Sequence, residues 1–134
     1  MPIKSKRRLS RPPSPLVPAS SPSPLTVTRS SARARGYTSR WDRAAEAFRA
    51  EHPLCRGCEA LGRVTAATVT DHVVPHRGDM VRFWDRTWWQ ASCDWHHNVV
   101  KQLLEAMFDA GRIGCDDLWL DSAIAVEIAR REGW

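Results

Sequence analysis

Apolar residues recur at helical spacing soon after residue 36. Ser39 can cap this helix at its N-terminus, and Asp42 lies in the first turn, near the positive end of the helix dipole. Pro53 disfavours helical backbone at the residue before it, so the helix should end before residue 53. The apolar positions that predict this helix are Trp41, Ala44, Ala45 and Phe48.

The pattern then changes from strand-like to helical. Thr and Val dominate residues 64–74, which predicts a strand ending near Asp71 and His72. Residues 75–88 have mixed polarity and predict a functional loop of about 14 residues, followed by a short return strand over 89–93. A helical stripe starts after Asp94 and should end at Gly111, and a last helix should begin at Asp121 or Ser122.

Basic residues and prolines are concentrated near the N-terminus. Residues 1–40 hold nine of the 20 Lys and Arg residues and none of the 15 Asp and Glu residues, and seven of the nine prolines lie in 2–24. Such a composition cannot bury a core, which predicts a disordered basic tail over 1–35 that suits phosphate binding. An organelle transit peptide is an alternative, but the prolines oppose the amphipathic helix that such peptides form.

The remaining residues, 36–134, predict one small folded domain with a core over 36–108 and a helical extension over 112–134. The longest apolar runs are far shorter than the 18 residues of a transmembrane helix, so no membrane partner is expected. The sequence shows no signal peptide either, and the expected location is the cytoplasm.

Three cysteines and one histidine form two hooks with the spacing of metal ligands. Cys55 and Cys58 are separated by two residues, and so are Cys93 and His96. This pattern predicts a closed Cys3His site for structural zinc. Three alternatives are a site with Cys115 in place of His96, a set of ordinary buried thiols, and two disulfides in a secreted domain.

Asp71 and His72 are the candidate catalytic pair, with His97 as a third member. Taken alone, an Asp-His dipeptide is more often a hydrogen-bonded pair at a strand end. The adjoining hooks favour a catalytic role over this structural one, because a metal held by His96 would also position His97, the next residue along the helix.

Together these motifs resemble the HNH endonucleases of bacteriophages and prophages, over roughly residues 36–108. The resemblance implies the ββα-metal fold, an α+β fold in which two strands and a helix clasp one divalent cation. It is carried by Trp41, Pro53-Leu54-Cys55-x2-Cys58, Asp71-His72-Val73-Val74-Pro75-His76-Arg77-Gly78-Asp79, Phe83-Trp84-Asp85, Trp89-Gln90 and Cys93-x2-His96-His97.

The resemblance also implies roles for individual residues. Asp71 and His97 would bind a catalytic Mg²⁺, Mn²⁺ or Ni²⁺ ion, and His72 would be the general base that activates water. The substrate would be DNA, cut to 5′-phosphate and 3′-hydroxyl ends in the cytoplasm of a bacterial host. Many members of the family lie beside the genes of the phage terminase, which suggests terminase subunits as partners in DNA packaging.

The sequence departs from the family at Trp88, where the middle Asn of the HNH motif would fall. In the family this Asn ties the loop across the site, so its absence bears on efficiency more than on metal binding. A non-catalytic zinc module that binds DNA or a packaging partner is therefore the alternative function. His76, Arg77 and Arg82 are the candidate DNA contacts on the loop, against the alternative of a solvated polar loop.

Overall fold

The computed structural model describes residues 31–133. From Gly36 onward these residues form one compact unit. Residues 31–35 form a turn in which the amide of Arg35 donates to the carbonyl of Ser31. The rest of the predicted basic tail, residues 1–30, lies outside the described residues.

The compact unit has an α+β fold, as predicted, with a two-stranded antiparallel sheet among helices. A π-helical turn over His96–Val100 leads directly into the fourth α-helix, and 3-10 turns cover Arg86–Trp88 and Cys115–Leu118. The helices and strands are α1 (Ser39–Glu51), α2 (Arg56–Ala60), β1 (Val69–His72), α3 (Met80–Phe83), β2 (Trp89–Ser92), α4 (Lys101–Asp109) and α5 (Ala123–Arg131).

The first helix follows its apolar pattern. α1 buries Trp41, Ala45 and Phe48 and ends before Pro53, as predicted. Its N-cap is Thr38 and not Ser39, which is the first helical residue. The last helix confirms its predicted start, because the Ser122 hydroxyl accepts a hydrogen bond from the amide of Ala125.

The first strand is shorter than the β-branched run predicts. β1 begins at Val69, because the backbone before it pairs elsewhere: the amide of Cys55 donates to Thr65, and the amide of Ala67 donates to Pro53. These bonds connect the segment before α2 to the segment before β1. The strand prediction over 64–74 was therefore too long at both ends.

The predicted loop over 75–88 contains two short helical segments. Asp79 caps α3 by accepting from the amides of Val81 and Arg82. Asp85 likewise accepts from the amide of Thr87 at the start of the next 3-10 turn. Aspartates at these positions satisfy the amides that a helix start leaves unpaired, so a polar segment becomes ordered.

Two apolar clusters pack around the sheet. The first contains α1 and aromatic residues of the loop, centred on Trp41, Phe83 and Trp89. The second contains α4, α5 and the segment between them, centred on Leu104, Leu118 and Ile128. Within residues 31–133 no helix is long and apolar enough to cross a membrane.

We expect Leu104→Ala to destabilise the fold by about 2–5 kcal/mol, because Leu104 is fully buried and truncation leaves a cavity. Leu103→Ala is the matched control, since Leu103 is 37% exposed on the same helix. Chemical denaturation of both variants measures the difference. Equal losses in the two variants would contradict this position for the core.

Candidate functional site

The four residues of the two hooks meet in one buried cluster. Cys55 precedes α2, Cys58 lies within it, Cys93 follows β2, and His96 opens the π-helical turn. Their ligand atoms all lie within 4.8 Å of one another, and all four residues are buried. Cys115 is exposed and lies outside the cluster, so the structure does not bring it to the position of a fourth ligand.

The spacing of these ligand atoms fits one tetrahedral metal ion. Cys58 Sγ lies 3.8 Å from Cys93 Sγ, and His96 Nδ1 lies 3.5 Å from both sulfurs and 3.6 Å from Cys55 Sγ. Tetrahedral bonds of about 2.3 Å to sulfur and about 2.0 Å to nitrogen separate ligand atoms by about 3.5–3.8 Å. The cluster therefore has room for an ion at its centre.

Backbone amides and burial shape the chemistry of the sulfurs. The amide of Cys58 donates to Cys55 Sγ, and the amide of His96 donates to Cys93 Sγ, at 3.4 Å in each case. Burial nevertheless raises the pKa of Cys55 to about 12. Thiolates at this site therefore need a bound cation, which couples metal binding to release of protons.

Gly57 lets the two hooks approach each other closely. A Cβ atom at this position would lie 2.2 Å from Cδ2 of the His96 ring, which no side chain can tolerate. The imidazole thus packs directly against the backbone of α2. A glycine between the two cysteines is required for His96 to reach the sulfurs.

Adjacent residues of β1 point to opposite faces of the sheet, so Asp71 and His72 have different surroundings. Asp71 pairs with Gln90 of β2, and His72 pairs with Trp89. The Asp71 carboxylate contacts residues of the π-helical turn and α4, whereas the His72 ring lies among the aromatic residues of the α1 cluster.

Asp71 and His97 offer two atoms to a cation. Asp71 Oδ1 lies 3.3 Å from His97 Nδ1. That nitrogen is buried and, apart from this contact with Asp71, has no hydrogen-bond partner among the described residues, although the rest of the ring reaches the surface. A buried imidazole nitrogen that faces a carboxylate oxygen fits a divalent ion with open positions for water and phosphate.

Charge partners keep the Asp71 carboxylate ionised. Burial raises the pKa of Asp71, but Lys101, His97 and Gln90 more than offset this effect, so the pKa lies below its ordinary value. Contact with the carboxylate in turn raises the pKa of His97. The carboxylate is therefore charged near neutral pH and able to bind a cation.

Sequence reasoning missed two residues of this site, Gln90 and Lys101. Gln90 Nε2 donates to Asp71 Oδ2 at 2.9 Å, and Lys101 Nζ lies 2.9 Å from the same oxygen. Gln90 lies opposite Asp71 in the sheet, and Lys101 follows His97 by four residues on the helix. The i,i+4 relation to His97 was the signal that could have identified Lys101.

His72 is held as a neutral imidazole with one nitrogen available. Its Nε2 lies 3.0 Å from the carbonyl oxygen of Phe83, which can only accept, so Nε2 carries the proton and Nδ1 the lone pair. The ring stacks on Trp41 with centroids 4.7 Å apart. Burial lowers the pKa of His72 to about 4. At neutral pH the ring is therefore unprotonated at Nδ1 and able to accept a proton.

The segment across the site is held without the middle Asn. The carbonyl of Phe83 also accepts from the indole nitrogen of Trp89 at 3.0 Å, which fixes the end of α3 to both strands. The carbonyl of Trp88 accepts from the amide of Val73, and the Trp88 ring stacks on Trp119 of the C-terminal segment. Trp88 thus has a packing role.

The three loop residues predicted to contact DNA differ in their surroundings. His76 lies beside the site, with its ring centroid 5.0 Å from that of His72 and its Nε2 3.1 Å from the Tyr37 hydroxyl. Arg77 forms an exposed ion pair with Asp109. Arg82 is exposed on α3.

The chain is similar to a phage HNH endonuclease. One solved structure that it matches is the crystal structure of the deep-sea thermophilic bacteriophage GVE2 HNH endonuclease with manganese ion. The sequences are 28% identical, the match covers 62% of this chain and 86% of that one, and the TM-score is 0.47. No family model matches the chain, and neither does any curated protein.

We expect the Cys/His cluster to bind one metal ion per chain in wild type and none in Gly57→Ala, because the added methyl group would displace the His96 ring. Gly114→Ala is the matched control, since a Cβ there meets no atom within 4 Å and the φ angle of −99° suits any residue. Elemental analysis of the purified variants gives the metal bound per chain. Full occupancy in Gly57→Ala would contradict the placement of His96.

Proposed function

We propose that this protein is a metal-dependent DNA endonuclease that hydrolyses phosphodiester bonds to 5′-phosphate and 3′-hydroxyl ends. The observation that carries the proposal is the approach of Asp71 Oδ1 to the buried Nδ1 of His97 at 3.3 Å, with a neutral His72 next to Asp71 in sequence. A carboxylate and an imidazole that can share a cation, together with an available base, are the groups that phosphodiester hydrolysis requires.

Asp71 and His97 would hold the catalytic cation. Bound there, a divalent ion would stabilise negative charge on the phosphate and on the leaving 3′-oxygen. Two protein ligands leave several positions for water and phosphate, which suits Mg²⁺, and the imidazole nitrogen also admits Mn²⁺ or Ni²⁺.

His72 would act as the general base. Its Nδ1 takes a proton from the attacking water as the water oxygen bonds to phosphorus. The bond from phosphorus to the 3′-oxygen then breaks, and that oxygen takes up a proton from solvent water to become the 3′-hydroxyl. The hydrogen bond from Nε2 to Phe83 fixes the ring orientation and the tautomer, and it stabilises the protonated ring that forms.

The Cys55, Cys58, Cys93 and His96 cluster would bind structural zinc. Three thiolates and an imidazole are typical ligands of Zn²⁺, and four protein ligands leave no open position for a substrate. The ion would join α2 to the π-helical turn, and so would hold His97 in place through its neighbour His96.

DNA contacts would come from the segment over residues 75–88, which lies beside the site, and from the basic tail over residues 1–35. His76 and Arg82 lie on this segment, and Arg77 would need to exchange its ion pair with Asp109 for a phosphate. The family resemblance of the sequence adds a role beside the phage terminase in DNA packaging, in the cytoplasm of a bacterial host.

We expect His72→Ala to reduce cleavage of a supercoiled plasmid by at least about 100-fold with Mg²⁺, Mn²⁺ or Ni²⁺, because the variant lacks the proposed general base. His52→Ala is the matched control, since His52 lies at the exposed end of α1. Gel electrophoresis over time gives both rates. Cleavage by His72→Ala at the wild-type rate would exclude His72 as the base.

The second candidate function is a zinc module that binds DNA without cutting it. It is favoured by Trp88 at the position of the family Asn and by Lys101, which already neutralises the Asp71 carboxylate. Wild-type protein that binds the plasmid but cuts it with none of the three metals would decide for this function.

We expect deletion of residues 1–35 to weaken the salt dependence of DNA affinity, because the tail holds eight Lys and Arg residues that can displace counterions from phosphates. Fluorescence anisotropy with a labelled duplex at several salt concentrations gives the slope of log K against log salt. An unchanged slope would show that the tail does not contact DNA.

A further inference from the structure

Lys101 places a full positive charge inside the protein, directly beside the proposed cation site. The residue has no exposed surface. Its Nζ donates to the carbonyl of His72 at 2.8 Å, lies 2.9 Å from Asp71 Oδ2, and lies 2.8 Å from Glu105 Oε2. Three oxygen partners match the three protons of an ammonium group, so the charge is fully satisfied without water.

The contacts of Asp71 divide its two carboxylate oxygens between different tasks. Oδ2 accepts from Gln90 and pairs with Lys101. Oδ1 faces His97 Nδ1. Gln90 is itself fixed, because its Oε1 accepts from the amide of Leu120 at 2.9 Å. The carboxylate therefore cannot rotate without breaking contacts on the Oδ2 side, and Oδ1 stays directed towards His97.

We propose that Lys101 is an internal counterion and positioning residue for Asp71. It keeps the buried carboxylate in place when no divalent ion is bound, and it opposes the binding of that ion. This role rests on the proposed cation site of Asp71 and His97, and it assigns to Lys101 a control of how tightly the site binds metal.

The physical reason is the cost of burying charge. A buried carboxylate without a positive partner is strongly destabilising, so a site that lacked Lys101 would depend on the metal for its integrity. The same ammonium repels a cation at Oδ1, since the ammonium and the cation would both lie beside the Asp71 carboxylate in a poorly solvated region. Lys101 thus stabilises the metal-free protein and lowers its metal affinity.

Glu105 sets the balance between these effects. It follows Lys101 by one helical turn, and its side chain is 30% exposed. The two carboxylates and the ammonium leave the cluster with one net negative charge. Removing the Glu105 charge would leave that cluster neutral and should weaken cation binding.

The test measures Mn²⁺ binding to full-length, zinc-loaded protein by calorimetry, together with thermal unfolding with and without Mn²⁺. Lys101→Met keeps most of the length of the side chain and removes its charge. We expect Mn²⁺ to bind this variant at least about 10-fold more tightly than wild type. We also expect its melting temperature to fall without Mn²⁺ and to rise more on Mn²⁺ addition than that of wild type.

A second variant covers the case in which Lys101→Met does not fold even with Mn²⁺. Glu105→Gln removes a partly exposed charge and should weaken Mn²⁺ binding about 3- to 10-fold by loss of Coulomb attraction. Glu51→Gln is its matched control, since Glu51 pairs with Arg86 at the surface and should leave the affinity unchanged. Equal weakening of Mn²⁺ binding in Glu105→Gln and Glu51→Gln would be a general charge effect. That result would overturn the proposal, unless Lys101→Met binds Mn²⁺ more tightly than wild type does.

The outcomes separate this role from the proposed function. Mn²⁺ binding that is present in wild type and absent in Asp71→Asn identifies the site. If Mn²⁺ binding is then unchanged in Lys101→Met, the proposed role of Lys101 is wrong and the cation site stands. Where Lys101→Met cannot be purified, unchanged Mn²⁺ binding in Glu105→Gln leads to the same conclusion. Wild-type protein that binds no Mn²⁺ would reject the cation site, and this role of Lys101 with it.

Discussion

The pairing of β1 with β2 is the constraint on which the rest of the site depends. Four residue pairs fix Asp71 opposite Gln90 and His72 opposite Trp89. A shift of one residue would exchange the faces of the sheet and would turn the carboxylate towards the aromatic cluster around Trp41. The observed register instead directs Asp71 to the polar residues of the π-helical turn and α4, and it directs His72 to the aromatic cluster, where burial lowers the pKa of the ring.

The Cys/His cluster supports this register from outside the sheet. Cys93 directly follows β2, and His96 stands next to His97, so the cluster fixes the end of one strand and the start of the following helix together. The wide π-helical turn at this point lets His96 reach the sulfurs while His97 faces Asp71. π-helical turns are rare in proteins, and those that occur are often found at functional sites.

The C-terminal extension contributes to the site as well as to the core. Gln90 joins Asp71 to the backbone of Leu118 and Leu120, and the ring of Trp119 covers Trp88. The extension therefore supports a carboxylate that lies far from it in sequence. It also supports the segment before β2, since the Trp88 carbonyl accepts from the amide of Val73 while the partly buried Trp88 ring stacks on Trp119.

The sequence by itself determined the elements with strong local signals. Local sequence was enough to predict the apolar face of α1, the Ser122 cap and the two Cys/His hooks. Periodicity, caps and ligand spacing are properties of neighbouring residues. The tertiary structure decided the short β1 strand, the ordered turns after Asp79 and Asp85, and the burial of Lys101. A lysine is usually found at the protein surface. Lys101 is buried because β1 and the next turn of its own helix bring three oxygens to its ammonium group. Such contacts depend on long-range packing, which no local pattern encodes.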